Sequence, residues 1–158
     1  MHGLIVSAMT HDEVVAFIEN LEGTVVTVAS KESGDPEVAW GDSFFFYDPD
    51  GVTDPQRRIP YATIVVSDYP GFDEASDLDR EGVFRVNLWV SRRTFERQAP
   101  EEGAEVDYAV LDQIIPHPVY GKQSWLSVLN PGPATEVALR DLLIEAHGRA
   151  RDRYEKRS

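Results

Sequence analysis

His117 stands between Pro116 and Pro118, close to Tyr120 and Lys122 and just ahead of a segment carrying Trp125. An imidazole titrates near neutrality, so a histidine on so stiff a backbone is the best-placed residue here to act as a general base or a ligand. The same position suits a plainer task, a hydrogen bond to a loop carbonyl that stabilises the turn, and the sequence favours that task. Arg85 and Asn87 share one side of an alternating segment. With Trp40, Trp125 and Tyr120 they supply the usual lining of a small-molecule site, apolar with a few polar contacts. Trp40, Trp89 and Trp125 fit core packing equally well. Asp42 borders an aromatic run, where a carboxylate needs a partner; Arg85 or a backbone turn is expected to be it. The candidate ligand-binding residues are thus Trp40, Asp42, Arg85, Asn87, His117, Tyr120 and Trp125, with no catalytic residue assigned.

The acids offer less. Asp48, Asp50 and Asp54 have the alternation of a calcium loop, but Pro49 is rigid, Gly51 comes too early and no closing glutamate follows. A solvated turn explains them better. Asp73, Glu74, Asp77 and Asp79 are dense enough to gather a divalent ion, yet Ser76 with Asp79 reads equally well as capping chemistry. His2, His11 and His147 have no second ligand at a recognised metal spacing. Gly41-Asp42-Ser43 lies within an aromatic segment rather than at a strand–helix elbow, and no glycine-rich phosphate cradle occurs. No complete catalytic signature is present, so the expectation is no metal and no resident cofactor, with enzymatic activity left open.

The chain has 158 residues, a size that fits one domain with a real core, and 42% of them are hydrophobic. The absence of cysteine excludes disulfides, thiolate nucleophiles and iron–sulfur clusters, and suits a reducing cytoplasm. Leu4–Met9 lacks both the basic leader and the length of a signal peptide, and no apolar run reaches membrane length. A cytoplasmic protein with no membrane partner is expected. The net charge of −13 opposes phosphate backbones, so no nucleic-acid partner is expected either. Acids crowd the stretch from Glu32 to Glu81, whereas Arg140, Arg149, Arg151, Arg153, Lys156 and Arg157 make the end of the chain basic.

Residues 1–9 read as a flexible lead-in to a single domain over 10–158. Thr10 and Glu13 form a capping box, Met9 and Val14 a hydrophobic staple, and Val14, Phe17, Ile18 and Leu21 one apolar stripe closed by Gly23. Strands are expected over 24–29, 38–47, 61–67, 83–90 and 124–129. The second contains Phe44-Phe45-Phe46-Tyr47, a run buried only if both sheet faces are covered, which places it at the centre of the sheet. In the fourth, Phe84, Val86, Leu88 and Val90 face one side and Arg85, Asn87 and Trp89 the other. Ser91 caps a short helix to Gln98, residues 107–115 read as helical, and Pro116-His117-Pro118 is an extended connector. Thr135 caps a final helix with Leu139, Leu142, Leu143, Ala146 and Ala150 inward.

This order, with Leu21-Glu22-Gly23, Trp40–Pro49, Ala62–Val65, Ser76–Arg80, Gly82–Asn87, His117–Tyr120 and Trp125–Pro131, resembles a small bacterial family of unknown function. It is more distantly similar to the MmcQ/YjbR-like proteins through the leading helix, the middle sheet, the strand around Trp125-Leu126-Ser127-Val128 and the closing helix. That likeness implies an α+β, frataxin-like sandwich in which an antiparallel sheet of about five strands packs against N- and C-terminal helices. It also implies DNA binding for some members, which the charge and the acidic insertion over 68–81 oppose here. The expected function is a small-molecule-binding or protein-interaction module of unknown oligomeric state. The alternatives are a metal-assisted hydrolase using acids near Asp77 with His117, and a DNA-binding protein.

Overall fold

Thr10 opens the first helix as its spacing predicts. Its hydroxyl accepts the Glu13 N–H at 3.1 Å and the Glu13 carboxylate accepts the Thr10 N–H at 2.9 Å, which satisfies two otherwise orphaned donors. The computed structural model describes residues 8–156. Residues 1–7 of the lead-in expected over 1–9, with its reading as no signal peptide, and His2 lie outside the described residues. Met9, at the end of that lead-in, is buried beside Val14 and donates its N–H to the Pro131 carbonyl at 3.0 Å.

Helix α1 (His11–Glu19) buries Val14 and Ile18 and gives way to a turn closed by Gly23. Gly23 has φ +74°, and a Cβ there would stand 2.6 Å from the Tyr47 ring, so conformation and packing both demand glycine. The strands are β1 (Thr24–Val28), β2 (Ser43–Tyr47), β3 (Ala62–Val65), β4 (Arg85–Trp89), β5 (Ile114–Pro116) and β6 (Trp125–Leu129). They pair antiparallel in the order β1-β2-β3-β4-β6-β5. Helix α2 (Arg92–Gln98) follows β4, and α3 (Glu136–Lys156) closes the chain. No helix among the described residues is long and apolar enough to cross a membrane.

Register divides the sheet into two unlike faces. Ala62 opposes Leu88, which opposes Leu126; Ile64 opposes Val86, which opposes Val128. These rows, with Phe45 and Tyr61, meet Val14 and Ile18 of α1 and Leu139, Leu142, Leu143 and Ala146 of α3 in the main core. On the other face a smaller cluster of Val65, Leu78, Ile115 and Leu129 packs with Val106, Tyr108 and Val110, so the long loops after β3 and α2 cover it. The aromatic run is covered on both sides: Phe45 is fully buried, Phe46 lies under the Arg58 guanidinium at 4.8 Å, and Phe44 and Tyr47 are half-buried. Its strand is second from an edge rather than central.

Three expectations are corrected. The long strand over 38–47 begins only at Ser43, because Glu37–Ala39 is a single 3₁₀ turn and Gly41, at φ +91°, breaks the extended path. Residues 107–115 are not helical. Asp107 turns back on the Ala109 N–H, Asp112 sits at φ +55°, and Ile114–Pro116 adds a sixth strand at the sheet edge, where Pro116 is tolerated. The entry to α3 is held by Asp112 rather than by Thr135. The Asp112 carboxylate accepts the N–H groups of Gly132, Ala134 and Thr135 and the Thr135 hydroxyl, at 2.7–3.1 Å.

Burial pushes the Asp112 carboxyl up, but these bonds outweigh it and hold it below the ordinary carboxylate value. The unfolded chain therefore takes up the proton first as pH falls. The contribution is whole above about pH 4 and is lost as pH falls through the folded value. Asp112→Ala is expected to cost about 1–3 kcal/mol at neutral pH and to flatten this acid-side slope, as urea unfolding across that range will measure.

Candidate functional site

Alternation along β4 turns Arg85 and Asn87 away from the helices, into the layer between the sheet and the long loops. Arg85 is fully buried. A guanidinium there must place five N–H groups, and its neighbours supply most of the acceptors. Its Nη1 and Nη2 donate to the two carboxylate oxygens of Asp73 at 3.0 and 2.6 Å, a bidentate pair. Nη1 also donates to the Ser76 hydroxyl at 2.9 Å, and Nε to Asn87 Oδ1 at 2.8 Å. Asn87 extends the network along the row Thr63–Asn87–Ser127 set by strand register. Its amide donates to Thr63 Oγ1 at 3.0 Å, and its carbonyl accepts the Ser127 hydroxyl at 2.7 Å.

His117 closes the network at its edge. The turn after β5 aims the N–H groups of Val119 and Tyr120 at Nδ1, each at 3.0 Å, so Nδ1 holds the lone pair and the ring proton sits on Nε2. Nε2 stands 3.4 Å from Arg85 Nη2, which makes this a contact between two donors rather than a hydrogen bond. Burial, then the Arg85 charge, lowers the His117 pKa to about 3. The imidazole is a fixed neutral wedge. Tyr120 lies 4.9 Å and Trp125 6.5 Å from its ring centroid, and Phe72 stacks edge-on to Tyr120 at 6.2 Å.

Arg85, Asn87, His117, Tyr120 and Trp125 therefore converge, while two other expected residues do not. Asp42 is buried, but its partners are the Tyr69 hydroxyl and the Val66 N–H, not Arg85, whose carboxylate partner is Asp73. Burial raises the Asp42 pKa despite these bonds. It is joined to the network through Tyr69, which exchanges backbone hydrogen bonds with Asp73. Trp40 is more than a third exposed and donates its indole N–H to the Asp35 carbonyl, apart from the group. Asp73 belongs to the acidic stretch whose sequence suits loop capping better than ion binding, and Thr63, Ser76, Tyr69 and Ser127 are not among the residues that the sequence singles out as a site. Thr63, Asn87 and Ser127 carried a legible signal, since each is a polar residue flanked by apolar neighbours in a strand.

The remaining acids serve the loops. Asp68 and Asp79 accept the N–H groups of Leu78 and Asp68, Glu74 accepts that of Gly71, and Asp77 pairs with Arg80. Asp48 holds Thr53, Asp50 the Tyr154 hydroxyl, and Asp54 the Gln56 N–H. Among the described residues no three His, Asp or Glu side chains are grouped to hold a metal ion. His147 holds α3 to the turn after α1, donating Nε2–H to the Glu22 carbonyl at 2.6 Å.

Beside His117 lies a cleft of about 640 Å³ between α2, the loop after it and the turn after β5. Phe95, Val106, Tyr108, Pro116 and Pro118 give it an apolar lining; Arg92, Lys122, Glu96, Glu101 and Glu102 give it charge. The volume falls within the range of small-molecule sites.

The fold and site define an α+β protein with an open six-stranded antiparallel sheet, helices on one face and a buried polar network beneath the other. The chain belongs to a family of unknown function, DUF6194, whose family model matches residues 9–158. Neither a curated protein nor a solved structure matches it.

Removing one member of the Arg85–Asp73 pair is expected to cost about 3–5 kcal/mol, because the other is left buried and uncompensated. The double variant Arg85→Met/Asp73→Leu is expected to lose far less than the two single losses together, which a denaturant double-mutant cycle will read. For His117 the unfolded chain binds the proton first, so its contribution to stability is whole above about pH 6.5 and declines as pH falls toward the folded value. Nitrogen NMR of the ring is expected to show one neutral tautomer, with the proton on Nε2, across that range.

Proposed function

We propose that this chain is a small-molecule-binding module of the bacterial cytoplasm that works without a resident cofactor, and that its ligand seats in the cleft beside His117. The observation that carries the reading is the cleft itself: about 640 Å³, bounded by Phe95, Tyr108, Pro116 and Pro118 and set against a histidine whose Nδ1 accepts two backbone N–H groups. Pre-set walls lower the ordering cost of binding. Arg85 and Asn87 support the site from behind by fixing the strand and the loop that position His117. The want of cysteine supports the cytoplasmic setting, and the net charge of −13 supports a partner other than nucleic acid. The leading helix, antiparallel sheet and closing helix support a kinship with the MmcQ/YjbR-like proteins and a single domain over 10–158.

A thermal-denaturation screen of small aromatic and aliphatic metabolites tests the reading. A true ligand at about a hundredfold its Kd is expected to stabilise the chain by about 2.7 kcal/mol. Ala104→Trp fills the cleft from an exposed loop position and is expected to erase that shift while leaving the unliganded melting temperature near the parent value. A screen without any stabilising compound, or a shift that survives the filled cleft, counts against the proposal.

A further inference from the structure

Most positive charges around the cleft are matched, and the negative ones at its mouth are not. Arg85, behind His117, is neutralised by Asp73. Arg92 stands 3.5 Å from Glu96 and lies over the Phe95 ring at 5.2 Å. His117 adds no charge, since its pKa is lowered to about 3 by burial and by Arg85. What remains on the lining is Lys122 against Glu101 and Glu102, all exposed and none with an ion-pair partner among the described residues. The loop bearing both glutamates also carries Glu105 and Asp107 and has no basic residue from Ala99 to Tyr108.

Two further observations point the same way. The net charge of −13 draws cations toward an open cleft and repels anions. Phe95 and Tyr108 line the cleft, aromatic rings attract cations as well as apolar groups, and Arg92 over Phe95 already displays that attraction within the chain.

We infer that the cleft takes an organic cation with an apolar body, an amine whose hydrocarbon part lies against Phe95, Tyr108 and the prolines and whose charge faces Glu101 and Glu102. The inference rests on the binding reading above and adds the chemical class of the ligand. Three probes with similar aromatic bodies separate the two: phenethylamine, phenethyl alcohol and hydrocinnamate, titrated into the full chain with NMR shifts of cleft residues as readout. The amine is expected to bind roughly tenfold more tightly than the alcohol at low salt, about what two exposed carboxylates supply, with the advantage fading at about 0.5 M salt. The carboxylate is expected not to saturate. Glu101→Gln/Glu102→Gln, at exposed positions, is expected to bring the amine to the affinity of the alcohol and leave the alcohol unchanged. Hydrocinnamate binding as tightly as the amine, or an undiminished amine in the double variant, overturns the cationic class and leaves the cleft standing as a site. Failure of all three probes to move cleft resonances overturns both.

Discussion

The pairing of Arg85 with Asp73 is the constraint around which the second face of this protein is organised. A guanidinium in a central strand of an open sheet has no water to fall back on, and stranding it would cost several kcal/mol. Asp73 comes from the long loop after β3, so the loop must fold onto the sheet for the strand to be tolerated. Once there, it brings Ser76 to the same guanidinium and Leu78 to the apolar cluster of Val65, Ile115 and Leu129. A loop over 68–82 that is rich in acids thus behaves as a fixed layer. Asp68, Glu74 and Asp79 accept the loop's own N–H groups, which keeps its turns in shape.

The two faces of the sheet are held by different physics. Under α1 and α3 the contact is apolar and nondirectional, and the side chains of Val86, Leu88, Leu126 and Val128 serve chiefly by volume. Under the loops it is directional. Thr63, Asn87, Ser127 and Arg85 are joined by bonds whose geometry fixes register as well as energy. A slip of β4 by one residue would put Val86 in the place of Arg85 and carry the charge into the apolar core, so the polar row is a strong specification of strand pairing.

How much of this was legible in the sequence follows from the range of each interaction. The capping box at Thr10, the alternation of β4 and the inward stripe of α3 depend on neighbours a few residues away, and each was readable. Arg85, Asn87 and His117 were legible as candidates for one site, but not the bonds that join them. The choice of Asp73 over Asp42 as the partner of Arg85 was not readable, because it depends on how a long loop closes over the sheet. β5 was misread as helix for a related reason. Val110, Leu111, Ile114 and Ile115 have helical spacing, but Asp112 takes a left-handed conformation so that its carboxylate can gather the N–H groups before α3. A tertiary demand on one residue overrode the local pattern of nine.

The same logic accounts for where the cleft lies. Both sheet faces are occupied, one by helices and the other by loops, and the cleft lies at the sheet margin, where three-residue β5 leaves α2 and the Pro116–Lys122 turn without a continuous strand to pack on. A marginal cleft is usually a soft one. Here the wall is stiffened from inside: Pro116 and Pro118 restrict the backbone, and the N–H groups of Val119 and Tyr120 clamp the imidazole. The Arg85 guanidinium behind it, itself locked by Asp73, closes off rotation toward the sheet. Rigidity that begins with one buried charge in β4 is thereby transmitted through a neutral histidine to the surface. One wall of the cleft is in this way tied to the sheet, while the exposed loop over 100–105 forms the other.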